Sequence, residues 1–264
     1  MPRGYQFTEL DKAISGHLAL GPETDRELYR LFFLRDGPRV KTRVEARRIK
    51  LKEMKRRGLI DYKYYNTHSD CIVILTKLGA EKLAETVDFF DIETAWTHFP
   101  REGCVEHDLF VGRAARKMKM DFGDVVIHFE PYLKREASPS GQKRRKNTYF
   151  PDFRLSLFDR THLITGKSYN VEIVSGSITR KALRGKIRCS TGHIFFLCRR
   201  AEMGAFLYNN LMRFYRGNIF GHQKIWTIHF GYATKFFGQN AVDYLWLTPP
   251  EQKFFRMTHF QSHS

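Results

Sequence analysis

Gly21-Pro22, Gly37-Pro38 and Gly58 punctuate the start of the chain. Proline lacks the amide a helix interior needs, and glycine adopts the turn that ends one, so these breaks leave room for three short helices and nothing longer. Thr8 is placed to cap the first, whose apolar residues Leu10, Ala13, Ile14 and Leu18 recur at helical spacing. The second is predicted over 23–34, with Leu28, Leu31 and Phe32. A third, strongly basic helix is predicted over 41–57, carrying Val44, Leu51 and Met54 near one face, with Gly58 as its terminator. Two β-rich segments follow at 59–65 and 71–75, joined by the polar tip Asn66-Thr67-His68-Ser69-Asp70, and a further helix is expected over 76–86.

Helix, helix, basic helix and hairpin is the order of a winged helix, and the passage from Leu51 through Gly58 to Ile60 resembles the end of a recognition helix entering its first wing strand. On this reading Arg43, Arg47, Arg48, Lys50 and Lys52 are the candidate contacts to double-stranded DNA in the major groove. Arg47 also lies near the apolar stripe, where it would pack instead. The competing expectation is a solvated charged helix used for protein contacts. A formal net charge of +17 favours a polyanionic partner, since lysine and arginine neutralise phosphates and release counterions.

At 264 residues, 42% hydrophobic and 14% aromatic, the chain can build packed cores. No apolar run approaches the ~18–20 residues that span a bilayer, and the N-terminal residues lack a signal-peptide pattern. A soluble, cytoplasmic protein without a membrane partner is expected. Cys71, Cys104, Cys189 and Cys198 lie far apart with no CxxC pair, which argues against a zinc site or a disulfide framework and predicts buried free thiols.

The second half alternates. After a connector over 89–103, a helix is predicted over 104–120 and a strand over 125–130. A polar, basic loop follows over 134–147, holding Lys143-Arg144-Arg145-Lys146 as phosphate contacts. Strands are expected over 149–158, with Pro151-Asp152 inside, and over 168–174, with Glu172 inside. A helix over 178–188, a strand over 194–198, a helix over 201–215 and strands over 224–230 and 242–247 complete the pattern. On adjacent strands Asp152 and Glu172 would meet and hold a divalent metal, Mg²⁺ or Mn²⁺, through oxygen ligands.

Helix, three strands, helix, strand resembles the αβββαβ core of the PD-(D/E)xK, or restriction-endonuclease-like, nucleases. The predicted architecture is therefore α/β (α+β), divided into a winged helix over 1–88, the connector, and a nuclease-like domain over 104–264. That pattern wants lysine two residues after the glutamate, whereas this chain reads Glu172-Ile173-Val174. Lys181 and Lys186, on the next helix, are the lysines that would reach inward in its place, or else face phosphates from the surface. His107-Asp108-Leu109 on a helix, then Pro151-Asp152, then Glu172-Ile-Val-Ser-Gly176-Ser177 is similar to the replication-relaxation family and the neighbouring MobC-type mobilisation relaxases. The resemblance implies Asp152 and Glu172 as metal ligands, with Glu130, or His107 with Glu106, completing the site. It also implies a metal-dependent DNA nickase acting at a transfer or replication origin in plasmid mobilisation or conjugation, with relaxosome or coupling proteins as partners. A covalent mechanism would need a tyrosine, for which Tyr149 and Tyr169 lie nearest. The alternative is a non-catalytic relaxosome accessory or transcriptional regulator with a degenerate nuclease fold.

Overall fold

The computed structural model describes residues 7–33, 49–88, 90–123, 125–137, 150–157, 168–176, 178–190, 192–220, 227–241, 244–248, 253–255 and 257. It is a mixed α/β structure with two compact units, residues 1–116 and 117–264. Among the described residues no helix is long and apolar enough to cross a membrane.

The first unit begins with α1 (Glu9–Ala19), closed by a reciprocal cap in which the Thr8 side chain accepts from Asp11 N and the Asp11 side chain accepts from Thr8 N. A two-residue strand, β1 (Glu23–Thr24), leads into α2 (Asp25–Phe33), so the second helix starts two residues later than the sequence suggests. Residues 49–56 are helical (α3); the earlier part of the predicted basic helix, with Arg43, Arg47 and Arg48, lies outside the described residues. The hairpin β2 (Ile60–Tyr65) and β3 (His68–Leu75) pairs antiparallel, and β1 joins the other edge of β3 to make a three-stranded sheet. α4 (Lys77–Ala84), capped by Thr76, follows. Ile14, Leu18, Leu28, Leu51, Met54, Leu59, Val73 and Leu83 form one core, so each helix named here contributes its apolar stripe. Lys50 belongs to that scaffold: its Nζ lies 2.7 Å from Oδ1 of the fully buried Asp11.

α5 (Val105–Phe122) is a single helix within which the boundary between the units falls, at Arg116 and Lys117. Its first turns belong to the first unit, where Val105 and Leu109 cluster with Tyr65 and Ile72. Arg116 donates to Glu23 Oε2 at 2.7 Å and to Gly21 O at 3.1 Å. Glu23 is 1% exposed, so burial works to neutralise it, yet its hydrogen bond to His17 and the charges of Arg116 and Arg113 keep its pKa below the ordinary value.

The second unit is built on a seven-stranded mixed sheet. β4 (Val125–Phe129) is followed at once by α6 (Glu130–Glu136), with Pro131 in the first turn, where its missing amide costs nothing. Glu130 therefore opens a helix rather than closing a strand, and Lys134–Glu136 are helical rather than part of a loop. β5 (Phe153–Leu157), β6 (Ser168–Val174), α7 (Arg180–Cys189), β7 (Ile194–Cys198), α8 (Ala201–Arg216) and β8 (Ile228–Tyr232) come next. A short helix, Ala233–Phe237, and strands β9 (Trp246–Thr248) and β10 (Lys253–Phe255) complete the described elements. β4, β5 and β6 pair antiparallel, while β6, β7 and β8 run parallel. β7 is apolar throughout and β8 nearly so, as strands covered on both faces must be. On one face Val174, Ile194, Phe196, Cys198, Ile228 and Phe230 pack with Leu183 and Ile187 of α7 and Leu207, Leu211 and Phe214 of α8. Cys71 and Cys198 are buried free thiols, but Cys104 is exposed, against expectation.

Candidate active site

Glu172 lies near the end of β6 and is 1% exposed, in register with Phe196 on β7. An ionised carboxylate there requires a partner. α7 supplies it: Leu183 and Ile187 seat the helix on the β6–β7 face, and Lys186, on the flank of that apolar stripe, donates from Nζ to Glu172 Oε2. Burial opposes the ammonium charge of Lys186, but the carboxylates of Glu172, Asp152 and Glu130 outweigh it and raise its pKa. Lys186 is therefore an ammonium at neutral pH.

Asp152 does not lie inside a strand, as its sequence context suggests, but immediately before β5. The register Phe153↔Val171 and Arg154↔Asn170, extended by one step, brings Asp152 level with Glu172. Its Oδ2 accepts a hydrogen bond from Ile173 N at 2.7 Å, and its carbonyl accepts from Glu130 N at 3.1 Å. One residue thus ties the β4–α6 junction to β6 and continues the β5–β6 ladder through its side chain. Glu130 pairs with Lys134 at 2.5 Å. Among the described residues no group of three or more His, Cys, Asp or Glu side chains is placed to hold a metal ion. Asp152 and Glu172, which share a level, are the two carboxylates that could hold a divalent metal, each with one oxygen already engaged, by Ile173 N and by Lys186 Nζ.

Position 174, where the sequence pattern wanted a lysine, is filled by a packed valine. It is 5% exposed and sits in the core under α7 with Leu183 and Ile187, where a lysine stem would displace apolar side chains. The cation enters from the helix above instead. Lys181, the other candidate on α7, is exposed. Arg154 and Asn170 join the site without being candidates on sequence grounds. They are cross-strand partners, joined from Arg154 Nε to Asn170 Oδ1 at 3.2 Å, and share the strand face of Glu172. Their signal is alternation, since 170, 172 and 174 must point the same way.

The remaining candidates fall elsewhere. Tyr169 is 1% exposed on the opposite face of β6, its ring edge-on to Phe195 at 5.3 Å, and burial raises its pKa, so it cannot serve as a nucleophile toward DNA. Tyr149 and Lys143, Arg144, Arg145 and Lys146 lie outside the described residues. His107 and Glu106 belong to the first unit, where Glu106 lies 3.3 Å from Nε2 of His68 on the hairpin. Lys50, expected to contact DNA, has only 15% of its side chain exposed and is committed to Asp11; holding a buried carboxylate outweighs a solvent-exposed role. Lys52 is exposed and, with Asp25, Tyr62 and Tyr64, lines a cleft between α3 and the hairpin. Comparison with protein-family models, with curated proteins and with solved structures gives no match for this chain.

Proposed function

We propose that this protein binds DNA through a winged helix formed by α1–α4 and the β2–β3 hairpin, and breaks a phosphodiester bond with a PD-(D/E)xK-like site in its second unit. The observation that carries the reading is the Lys186–Glu172 pair beside Asp152. It restores two carboxylates and one lysine in a chain whose linear motif lacks that lysine. The succession α5, β4, α6, β5, β6, α7, β7 departs from the expected αβββαβ order by the short helix α6, but its antiparallel pairing that turns parallel after β6 supports the same reading. So does the net charge of +17.

In this scheme a divalent metal bound by Asp152 and Glu172 would polarise the phosphate and lower the pKa of a bound water. The protein's own groups do the rest. The Ile173 amide fixes the Asp152 carboxylate, and Lys186, already protonated, donates hydrogen bonds to phosphate oxygen and offsets the charge that builds as water attacks phosphorus. A lysine with a raised pKa is suited to that role and not to general-base work. Tyr169, buried on the opposite face of β6, does not supply the tyrosine that a covalent mechanism would need. A mobilisation-type nickase is the specific form we favour, acting on supercoiled DNA at its own locus.

A second reading has one observation behind it: the Lys186 ammonium rests on Glu172 where a catalytic cation would also bind, as in a site that has given up metal chemistry. Incubation with supercoiled DNA carrying the native locus, in Mg²⁺ or Mn²⁺, separates the two. The nuclease reading expects open circles from wild type, and a loss on the order of 100-fold or more in Asp152→Asn, Glu172→Gln and Lys186→Met, with duplex binding retained. Intact supercoils in both metals, together with no metal-dependent shift in melting, would leave the DNA-binding regulator standing.

A further inference from the structure

α7 divides its positive charge between two flanks. Lys186 turns to Glu172 on one side of the fully buried Leu183 and Ile187. On the other side Arg184 and Arg188, both exposed, line a cleft of about 470 Å³ together with Ile219 and Phe220. Among the described residues no acidic side chain lines this cleft, and the sequence of α7 contains none. The two arginines are four residues apart, so they stand on one face about 6 Å apart along the axis. Two adjacent guanidinium forks in that arrangement form a bidentate receptor for phosphate. The apolar side of the cleft is set as firmly: Phe220 packs edge-on to the buried Phe214, with ring centroids 5.3 Å apart at 85°. Cations on one wall and an aromatic ring on the other match a nucleotide, whose phosphate is charged and whose base is flat and apolar on its faces.

We propose that this cleft seats one nucleotide of a single DNA strand, with its phosphate on Arg184 and Arg188 and its base against Phe220. The inference rests on the reading of the chain as acting on DNA, and adds a second strand contact on the far flank of α7 from the carboxylates. A base paired in a duplex has its faces covered by its neighbours, so Phe220 discriminates for unpaired strand. A nicking enzyme that works on locally melted, supercoiled DNA gains from such a contact.

The test is fluorescence anisotropy of the full chain with a labelled oligothymidine, a labelled duplex of unrelated sequence and, as competitor, free thymidine monophosphate. Phe220→Leu, which keeps apolar volume against Phe214, should weaken oligothymidine binding roughly 5- to 100-fold and leave duplex binding unchanged. Phe220→Trp should restore it. Arg184→Ala with Arg188→Ala should weaken the single strand strongly, and the paired lysine substitutions should recover only part of the loss, because lysine keeps the charge and not the fork. The monophosphate should compete only weakly, since the strand supplies further contacts. Equal losses on single strand and duplex, or full recovery with lysine, would reduce the cleft to a general basic surface and overturn the proposal. Unchanged oligothymidine affinity in a chain that still binds duplex would overturn it alone, whereas a wild type that binds neither nucleic acid removes the DNA reading with it.

Discussion

At the scale of single residues, two buried titratable groups make opposite demands. Glu172 is buried and depends on Lys186, so Lys186→Met should leave an uncompensated carboxylate and cost up to roughly 3–5 kcal/mol in chemical denaturation. Adding Glu172→Gln to that variant should return much of the loss, because a neutral amide needs no cation; equal stability of the single and double variants would mean that the pair contributes nothing. His229 carries the reverse constraint. It is 1% exposed, stacked on Phe195 at 4.6 Å, with Nδ1 2.7 Å from Thr248 Oγ1 and Nε2 2.8 Å from His193 Nδ1. Burial, and secondarily the charge of His193, pushes its pKa from 6.5 down to about 3. Below pH 6.5 the unfolded chain takes up a proton there that the folded chain refuses until about pH 3. Stability present above that window is therefore lost on acidification, by up to about 1.4 kcal/mol per pH unit. Thermal melts from pH 7 to pH 4 should fall more steeply for wild type than for His229→Gln; parallel curves would assign the acid sensitivity to other groups.

At the scale of elements, close packing sets the limits. A Cβ on Gly79 would stand 2.0 Å from Leu59 O, so α4 approaches the start of β2 at a distance only glycine allows. Gly79→Ala should push the helix off the hairpin and cost about 1–3 kcal/mol, read as a lower midpoint in urea. An unchanged midpoint would show that α4 can shift without loss. The same dependence on packing separates what is legible in the sequence from what is not. α1, α4, α5, α7 and α8 carry a capping residue or an apolar stripe at helical spacing, and their positions can be read directly. β7 is equally plain as an unbroken apolar run, and β6 is marked by Tyr169, Val171, Ile173 and Val174 between its polar residues. α6 escapes such a reading because seven residues opening on Glu130-Pro131 hold too little periodicity to distinguish them from a loop. Asp152 reads as a strand residue yet stands one position outside β5, because strand ends are decided by pairing, and here a side chain takes over the last hydrogen bond. The partner of Glu172 can be narrowed to Lys181 or Lys186, and no further. Only the seating of Leu183 and Ile187 on the sheet decides which lysine turns inward. Lys50 misleads for a related reason: nothing local in the basic helix reveals that Asp11, far away in sequence, is buried beneath it.

At the scale of the whole molecule, charge and division into units bear on any dissection of function. Val105 and Leu109 of α5 pack on Tyr65 and Ile72 within the first unit. A fragment beginning near residue 104 would carry those apolar side chains without their cover, so weaker DNA binding after such a truncation would confound misfolding with removal of the binding surface. Charge offers a cleaner route. With a net charge of +17, binding of the full chain to duplex DNA should be dominated by phosphate neutralisation. If six to ten phosphates are engaged, affinity should fall on the order of 10³- to 10⁵-fold between about 50 and 200 mM salt. Replacing Lys143, Arg144, Arg145 and Lys146 by glutamate should lower affinity for all duplex sequences about equally and flatten the slope of log affinity against log salt by roughly 0.9 for each phosphate no longer neutralised. Phosphates are the same at every step of a duplex, so a loss that depends on sequence would assign base reading to this segment. An unchanged salt slope would remove it from the interface and leave the first unit, with exposed Lys52, Arg56 and Lys63, to account for the dependence.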